Sequence, residues 1–329
     1  MHRRKHPNLV GIRAIIGVFR DAICLIVCAG RKRGRCVRLL QMIVVLLIGW
    51  LNLPVANAQS VPVSLPRTGP WELNYDADSC HLRAAFGSGD QKILMDLTRV
   101  SPSNNFDVTL YGKKLESNEL IVDVEFAFGD QSKLQKRSAL AGQSTVGEKL
   151  PLLIMSGLRV DNRTRGAPGP LPFPDITPAD EAAVTTLTIK LSSRRHYRLE
   201  TGSLAGPFNA MRKCTDDLVV SWGYDPAVIA KLTKGPVLGD FDSNVLTSSD
   251  YPQAALAKGQ SGRITFRLDV DASGKATGCH VLYRVAGDEF AKLTCALIMK
   301  RVKLTPALDE FGKPTKSYYI RTVNWLMNT

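Results

Sequence analysis

The sequence predicts an α+β protein, with a β-rich N-terminal domain followed by a small β-β-α-β domain. Three observations carry that prediction. Between residues 71 and 200, short apolar or alternating runs recur, bounded by Gly, Asn, Ser and Pro, as strands separated by turns do. Further on, "GRITFRLDV" and "ATGCHVLYRV" flank a tight turn, which is the pattern of a hairpin. One amphipathic helical stretch, "GDEFAKLTCALIMKRV", then separates that hairpin from a last strand-like run.

Residues 1–58 read as a leader. "RKRGRCVR" (Arg31–Arg38) supplies positive charge, and "LLQMIVVLLIGWL" (Leu39–Leu51) is an uncharged apolar core. "PVANAQS" then sets Ala56 and Ala58 at the small-residue positions of a signal-peptidase site. Together they predict a secretory signal cut between Ala58 and Gln59, and so an exported protein, in the periplasm or outside the cell. The rival is an uncleaved anchor in the inner membrane, but its apolar run is short for a bilayer span and Pro54 ends it. Residues 1–36 are long for an n-region and hold Arg13, Arg20 and Asp21 in an apolar stretch, which predicts a true start near Val37 or Met42.

The leader also carries most of the charge. Ten of the 43 Lys and Arg residues, and one of the 30 Asp and Glu, precede Gln59, so the formal +13 falls to +4 beyond it. No Lys/Arg stripe with interleaved aromatics follows, and nucleic acid is not an expected partner. Of the seven cysteines, Cys24, Cys28 and Cys36 lie in the leader, leaving Cys80, Cys214, Cys279 and Cys295. An even number in an exported chain predicts two disulfides, with three pairings open on paper.

Residues 59–226 are read as the β-rich domain. "QSVPVSLPRTGP" is an extended Pro-rich lead-in; "KILMDLTRV", "FDVTLYG", "LIVDVEFAFG" and "AVTTLTIKLSS" are strands. Asp161–Ala183 is a Pro/Gly-rich loop. "GPFNAMRKCTDDLVVSWG" closes the domain as a helix with Phe208, Met211, Leu218 and Trp222 at helical spacing, stopped by Gly223 and Pro226. Residues 227–250 are read as a linker.

From residue 251 the pattern is clearest. Ile264, Phe266, Leu268 and Val270 share one face of a strand, with Arg263, Thr265, Arg267 and Asp269 on the other, which predicts a half-buried antiparallel strand. "DASGK" turns it, with Gly274 at positive φ, and the return strand sets Cys279, Val281 and Tyr283 on one face. In the helix, Phe290, Leu293, Leu297 and Ile298 point inward, with Asp288 at its start and Lys300 and Arg301 at its end. "SYYIRTVNWLM" completes the unit.

Cys279 thus faces inward from its strand, and Cys295 lies in the helical row Ala291, Cys295, Ile298, Val302. Metal binding lacks further ligands, since there is no C-x-x-C and His280 points away from Cys279. A redox pair lacks the short motif of an activated thiolate. A disulfide staple between Cys279 and Cys295 is therefore expected, which leaves Cys80 to pair with Cys214 across the first domain.

No motif points to catalysis, a metal or a cofactor. "DVDASGK" (Asp269–Lys275) resembles the start of a calcium loop, but its twelfth position is His280 and strands flank it. "AFGSGD" (Ala85–Asp90) has no helix start after it to cradle a phosphate. The histidines His81, His196 and His280 follow no spacing rule, and no G-x-S-x-G or S-x-x-K occurs. A triad assembled in space would leave no such trace, so a hydrolase or ligand-sensing role for the β-rich domain stays open as an alternative. The sequon at Asn162 has meaning only in a eukaryotic secretory pathway.

From about Tyr251 to Met327 the chain resembles the TonB C-terminal domain family. The resemblance rests on "YPQAAL", "SGRITFRLDVDASGKATGCHV", "DEFAKLTCALIMKRVKLTPA" and "EFGKP", in that order and spacing. It implies a periplasmic domain of Gram-negative bacteria that grips a short peptide of outer-membrane receptors by strand addition. The energy transducers of that family keep a membrane anchor and a long Pro-rich Glu/Lys spacer, whereas this chain has a leader that reads as cleavable and no such spacer. Where the family carries a small polar pair after the second strand, Arg284 and Val285 stand here. A protein-binding module is therefore expected before a membrane-anchored transducer. The last strand is the candidate edge, with Tyr319, Arg321 and Trp325 as gripping side chains; the other reading is that Trp325 and Val323 are core.

Overall fold

The alternating runs of the N-terminal half form ten strands wound into one curled sheet. The computed structural model describes residues 60–130, 133–144, 147–163, 175–192, 194–238, 245–285 and 287–327, so the leader and its expected cleavage site lie outside the described residues. The strands are β1 (Val63–Pro66), β2 (Glu72–Tyr75), β3 (Cys80–Phe86), β4 (Ile93–Arg99), β5 (Phe106–Tyr111), β6 (Ile121–Phe128), β7 (Gln135–Gln143), β8 (Pro151–Leu158), β9 (Thr186–Ser192) and β10 (Arg195–Glu200). Their order is β1-β10-β9-β6-β7-β8-β5-β4-β3-β2.

Part of the expected lead-in is strand, because it closes this sheet. β1 pairs with β10 in parallel. The chain just after it then crosses to the far end: Thr68 N donates to Ala85 O and Gly87 N to Pro66 O, both at 2.9 Å. β2 pairs with the first half of β3, so residues 66–68 and β2 together cover that strand's outer side. Closure of this kind leaves few backbone groups for foreign strands to template on.

Inside the curl, one face of each strand meets the others. Phe86, Phe106, Phe126, Phe128 and Phe208 are fully buried there, and Phe106 lies edge-on to Phe128 and Phe208. Phe208 belongs to α2 (Ala205–Ser221), the closing helix read from the sequence, which also buries Met211, Cys214 and Leu218. The helix stops at Trp222, and Gly223 takes φ +82°, a conformation open to glycine at little cost. Cys214 is bonded to Cys80, so a disulfide joins α2 to β3.

The segment read as a loop before β9 ends in α1 (Pro178–Ala183), where Thr177 and Asp180 form a capping box. Asn162, the sequon residue, accepts from Phe128 N at 2.7 Å and donates to Phe128 O at 2.9 Å. Its amide thereby ties off the end of β6.

The expected linker has structure of its own. It holds α3 (Pro226–Ala230) and β11 (Val237–Leu238), and Val245 is buried in the C-terminal core. Then come α4 (Gln253–Ala257), β12 (Gly262–Val270), β13 (Ala276–Val285), α5 (Asp288–Arg301), β14 (Leu304–Thr305), β15 (Ala307–Leu308), β16 (Pro314–Thr315) and β17 (Ser317–Trp325). β11 pairs with β14 because the 227–250 segment folds back on the C-terminal unit. Asp250 accepts from both terminal nitrogens of Arg301, which anchors that segment to the end of α5.

The C-terminal sheet runs β13-β12-β17, all antiparallel. α5 covers one face with Phe290, Ala291, Thr294 and Ile298 buried, while Leu293 and Leu297 are half-buried at its margin. Gly274 turns the hairpin at φ +87°, and a Cβ there would collide with the Leu304 carbonyl. The Asp271 carboxylate accepts from Ser273 N, Ser273 Oγ and Lys275 N, so turn geometry occupies the group that a calcium loop would aim at an ion. Cys279 and Cys295 are bonded, clamping β13 to α5.

Both disulfides should be silent to thiol reagents in the native, unreduced protein. In the loop-entropy account, replacing Cys279 and Cys295 by Ser lowers stability by about 3 kcal/mol, and replacing Cys80 and Cys214 lowers it by about 4 to 5 kcal/mol because the loop is far longer. Denaturant unfolding followed by tryptophan fluorescence measures both, and the opposite order of the two losses would contradict the account.

Candidate functional site

β12 was expected to bury one face, but it buries two. Ile264, Phe266 and Leu268 meet α5, while Arg263 and Arg267, on the supposedly wet face, are 6% and 5% exposed. The outer face of the barrel covers them. Outward-facing His81, Asp96, Thr98 and Thr109 of β3, β4 and β5 are buried in turn. The described residues form one compact unit, with separate hydrophobic cores in the barrel and under α5.

Polar bonds and rings set the register of this contact. Arg263 Nη2 donates to Asp107 of β5 at 2.7 Å and Nη1 to Asn324 of β17 at 3.1 Å. Asp107 also accepts from Gly157 N at 2.9 Å. The Arg267 guanidinium stands 4.5 Å above the Trp222 ring, a cation–π geometry. Tyr224, just past α2, donates to Asp269 and to the Ser317 carbonyl, each at 3.0 Å. Tyr318 of β17 lies edge-on to Trp222 and Tyr224, with centroids 5.3 Å apart in each case.

Tyr283 corrects a second expectation. It was read on the face of Cys279 and Val281, yet it pairs with Thr265 while Val281 pairs with Phe266. Leu282 is therefore a bulged extra residue, and beyond it the alternation inverts. Tyr283 turns to the barrel and meets His81 at 6.3 Å between centroids. Burial there pushes its hydroxyl up to about 12.

His81 is the centre of a buried relay. Its Nε2 lies 2.9 Å from Ser79 Oγ, and its Nδ1 lies 3.0 and 3.1 Å from the Asp96 carboxylate oxygens. Arg83 Nε donates to the same carboxylate at 2.8 Å. Burial pushes the Asp96 carboxyl up, but the His81 and Arg83 bonds and charges outweigh it and hold the group below the usual carboxylate range. A Ser–His–Asp chain of these lengths matches a hydrolase triad in distance. It differs in access: Ser79 is 1% exposed, and two clefts on the described surface, one beside Leu120 and Val285 and one beside Glu116 and Pro151, are lined by none of Ser79, His81 and Asp96. The chain satisfies buried polar atoms beneath Tyr283. The other histidines lie elsewhere: His196 Nδ1 is 3.0 Å from Ser60 Oγ, and His280 Nε2 is 2.8 Å from Asp269. Among the described residues no three His, Cys, Asp or Glu side chains gather as a metal site would require.

The candidate edge strand is β17. It pairs with β12 on one side, and among the described strands none pairs with the other. Tyr319, Arg321 and Trp325 all lie on its α5 side, opposite Leu268, Phe266 and Gly262. Trp325 is core: it is 5% exposed, its Nε1 donates to Thr294 Oγ1 at 2.9 Å, and its ring abuts Tyr251 and Phe290. That placement removes Trp325 as a gripping side chain, while Tyr319 and Arg321 are half-buried neighbours, 3.5 Å apart at their polar tips. What β17 offers a partner is its backbone. No described helix is long and apolar enough to cross a membrane.

Residues 247–327 match the family model described as Gram-negative bacterial TonB protein C-terminal. The match spans the C-terminal unit and none of the barrel. No curated protein and no solved structure matches the chain.

Asp107→Ala leaves Arg263 buried without its carboxylate and should lower stability by about 3 kcal/mol, whereas replacing both partners by apolar residues should recover most of that loss. Equal losses in the single and double variants, by denaturant unfolding, would show that the pair does not act as a unit. Because the Asp96 carboxyl is held low in the folded state, its contribution is full above about pH 4, the ordinary aspartate value. It fades as the pH falls through the lowered folded value. Asp96→Asn should therefore flatten the acid limb of a stability–pH curve, which urea unfolding from pH 6 to pH 2 would record.

Proposed function

We propose that this is an exported envelope protein of a Gram-negative bacterium, periplasmic in location, that binds an extended segment of a protein partner by strand addition along β17. One observation carries the reading: the strand at the edge of a TonB-type sheet has no described neighbour on its outer side. An open antiparallel edge supplies alternating donors and acceptors at fixed spacing, so backbone bonds give affinity to any segment that can extend. Segments of outer-membrane receptors are the partner class that the TonB match favours. Two disulfides suit an oxidising compartment.

A membrane-anchored energy transducer is the less favoured reading. Such a role asks the C-terminal unit to move away from the rest of the chain, and here its second face is held by Arg263–Asp107 and the Trp222–Tyr224–Tyr318 cluster. A hydrolase built on Ser79, His81 and Asp96 would need an opening to Ser79. Neither reading draws on a feature that strand addition leaves unexplained.

The test uses the whole folded chain, since the C-terminal unit alone would expose Arg263 and Arg267. Peptides from the periplasmic ends of outer-membrane receptors, titrated into isotope-labelled protein, should shift amide signals of Tyr318–Trp325 before any others. Shifts confined to the barrel, or none with any such peptide, would refute strand addition at β17.

A further inference from the structure

We infer that the seam between the barrel and one end of the C-terminal sheet is a docking groove for a segment of another protein in which an aliphatic side chain lies close in sequence to a lysine or arginine. The groove is distinct from the outer edge of β17, so the inference stands or falls apart from strand addition.

Alternation gives a closed barrel an apolar inside and a polar outside. β7 and β8 break that rule. Ala139, Leu153 and Met155 face the barrel core, which puts Leu140, Gly142, Leu152 and Ile154 on the outer face. Residues paired directly across strands extend this patch into a row: Thr109 of β5 opposite Ile154, Ile154 opposite Leu140, and Leu140 opposite Ile121 of β6. At the β5 end the row runs beneath the C-terminal sheet, and Thr109 and Ile154 are 4% and 5% exposed. At the β6 end Ile121 is 47% exposed. The cover stops partway, and Ile154, Leu140 and Ile121 belong to none of the hydrophobic cores.

A cleft lies where the cover stops. β12 begins, and β13 and β17 end, at the same side of the C-terminal sheet. There Gly262, Val285 and Leu326 face Leu140, Leu152 and Ile154 across an apolar cleft of about 100 Å³. Leu120 and Val285 also line it and are 43% and 40% exposed. Arg263 contributes no free charge, since its terminal nitrogens are bonded to Asp107 and Asn324. The space suits one aliphatic side chain, and an apolar cleft at the junction of two packed units is a common place for a ligand.

A second cleft, of about 370 Å³, adjoins the first and shares Leu120, Ala141, Gly142 and Gln143 with it. Its character is polar. The charged residues that line it are Glu116 and Glu119, with no cation. Among the described residues neither carboxylate is in an ion pair, and Arg195 donates to the backbone carbonyl of Glu116, at 2.8 Å. A segment that fills the apolar cleft therefore sets its neighbouring residues against two free carboxylates. A base gains attraction there without displacing another cation, and an acid is repelled.

The test screens a library of displayed twelve-residue peptides on the immobilised full-length protein and maps those recovered by amide signals of isotope-labelled protein. Recovered peptides should pair Leu, Ile or Val with Lys or Arg about three positions away or fewer. They should shift Gly142, Leu152 and Val285 and leave Tyr318–Thr322 in place. Replacing the aliphatic residue by Ala should weaken binding about tenfold. Glu116→Gln with Glu119→Gln should weaken it about two- to fivefold, an effect that fades in high salt. Gly142→Ile should abolish binding without lowering the melting temperature. A Cβ at Gly142 meets only Leu152, at 3.7 Å, and the longer side chain fills the floor that the two clefts share. Should Gly142→Ile perturb the barrel, Leu120→Ser at an exposed position reads the same contact. Peptides with no base, peptides that shift only β17, or no peptides at all would overturn the inference, and the second result would leave strand addition standing. Self-association in sedimentation that Gly142→Ile abolishes would make a second copy of this chain the occupant and overturn it as well.

Discussion

The second buried face of β12 is the constraint on which the remaining architecture depends. A three-stranded sheet with a single helix can bury only one side. Here the other side of β12 carries two arginines and a threonine, and the barrel covers them. A buried guanidinium without a carboxylate would cost several kcal/mol, so Asp107 has to stand opposite Arg263 and β5 has to run beneath β12. Once both faces are occupied, only the edges of the sheet face outward. The geometry that joins the two halves therefore also decides which backbone groups of the sheet stay open.

The sequence made much of this fold legible because local rules govern it. Alternation located the strands, the "DASGK" turn located the hairpin, and the inward rows of β13 and α5 put Cys279 beside Cys295. What escaped were effects of residues distant in sequence. Arg263, Thr265 and Arg267 look alike in sequence whether they meet water or another sheet, and only Asp107, some 150 residues earlier, distinguishes the two. Tyr283 was read on the wrong face because one bulged residue, Leu282, leaves no mark in a pattern of alternating side chains. The 227–250 segment passed for a linker because its two-residue strand is too short to show a period.

The candidate site divides in the same way. The edge position of β17 was readable from the order of elements. The fate of Trp325 was not, since an indole whose N–H finds Thr294 and one that grips a partner have the same letter. The Ser79–His81–Asp96 chain shows the reverse hazard. Its distances alone would suggest chemistry, and its burial under Tyr283 gives the plainer account of polar groups bonded to one another where water does not reach.

The closure of the barrel by β1 has a consequence for how the protein is made. β1 pairs with β10, more than a hundred residues later, and residues 66–68 complete the outer side of β3. A chain that appears from its N-terminus must hold β1 without its partner until β10 has emerged, whereas β3 finds β2 and β4 beside it in sequence. Such high contact order slows folding and lengthens the time during which bare strands can capture one another. Cys80, at the start of β3, and Cys214, in α2, are brought together by the same late event. Their oxidation would then come as the last covalent step of barrel assembly, and a chain arrested before it would be the species most exposed to aggregation and to proteolysis.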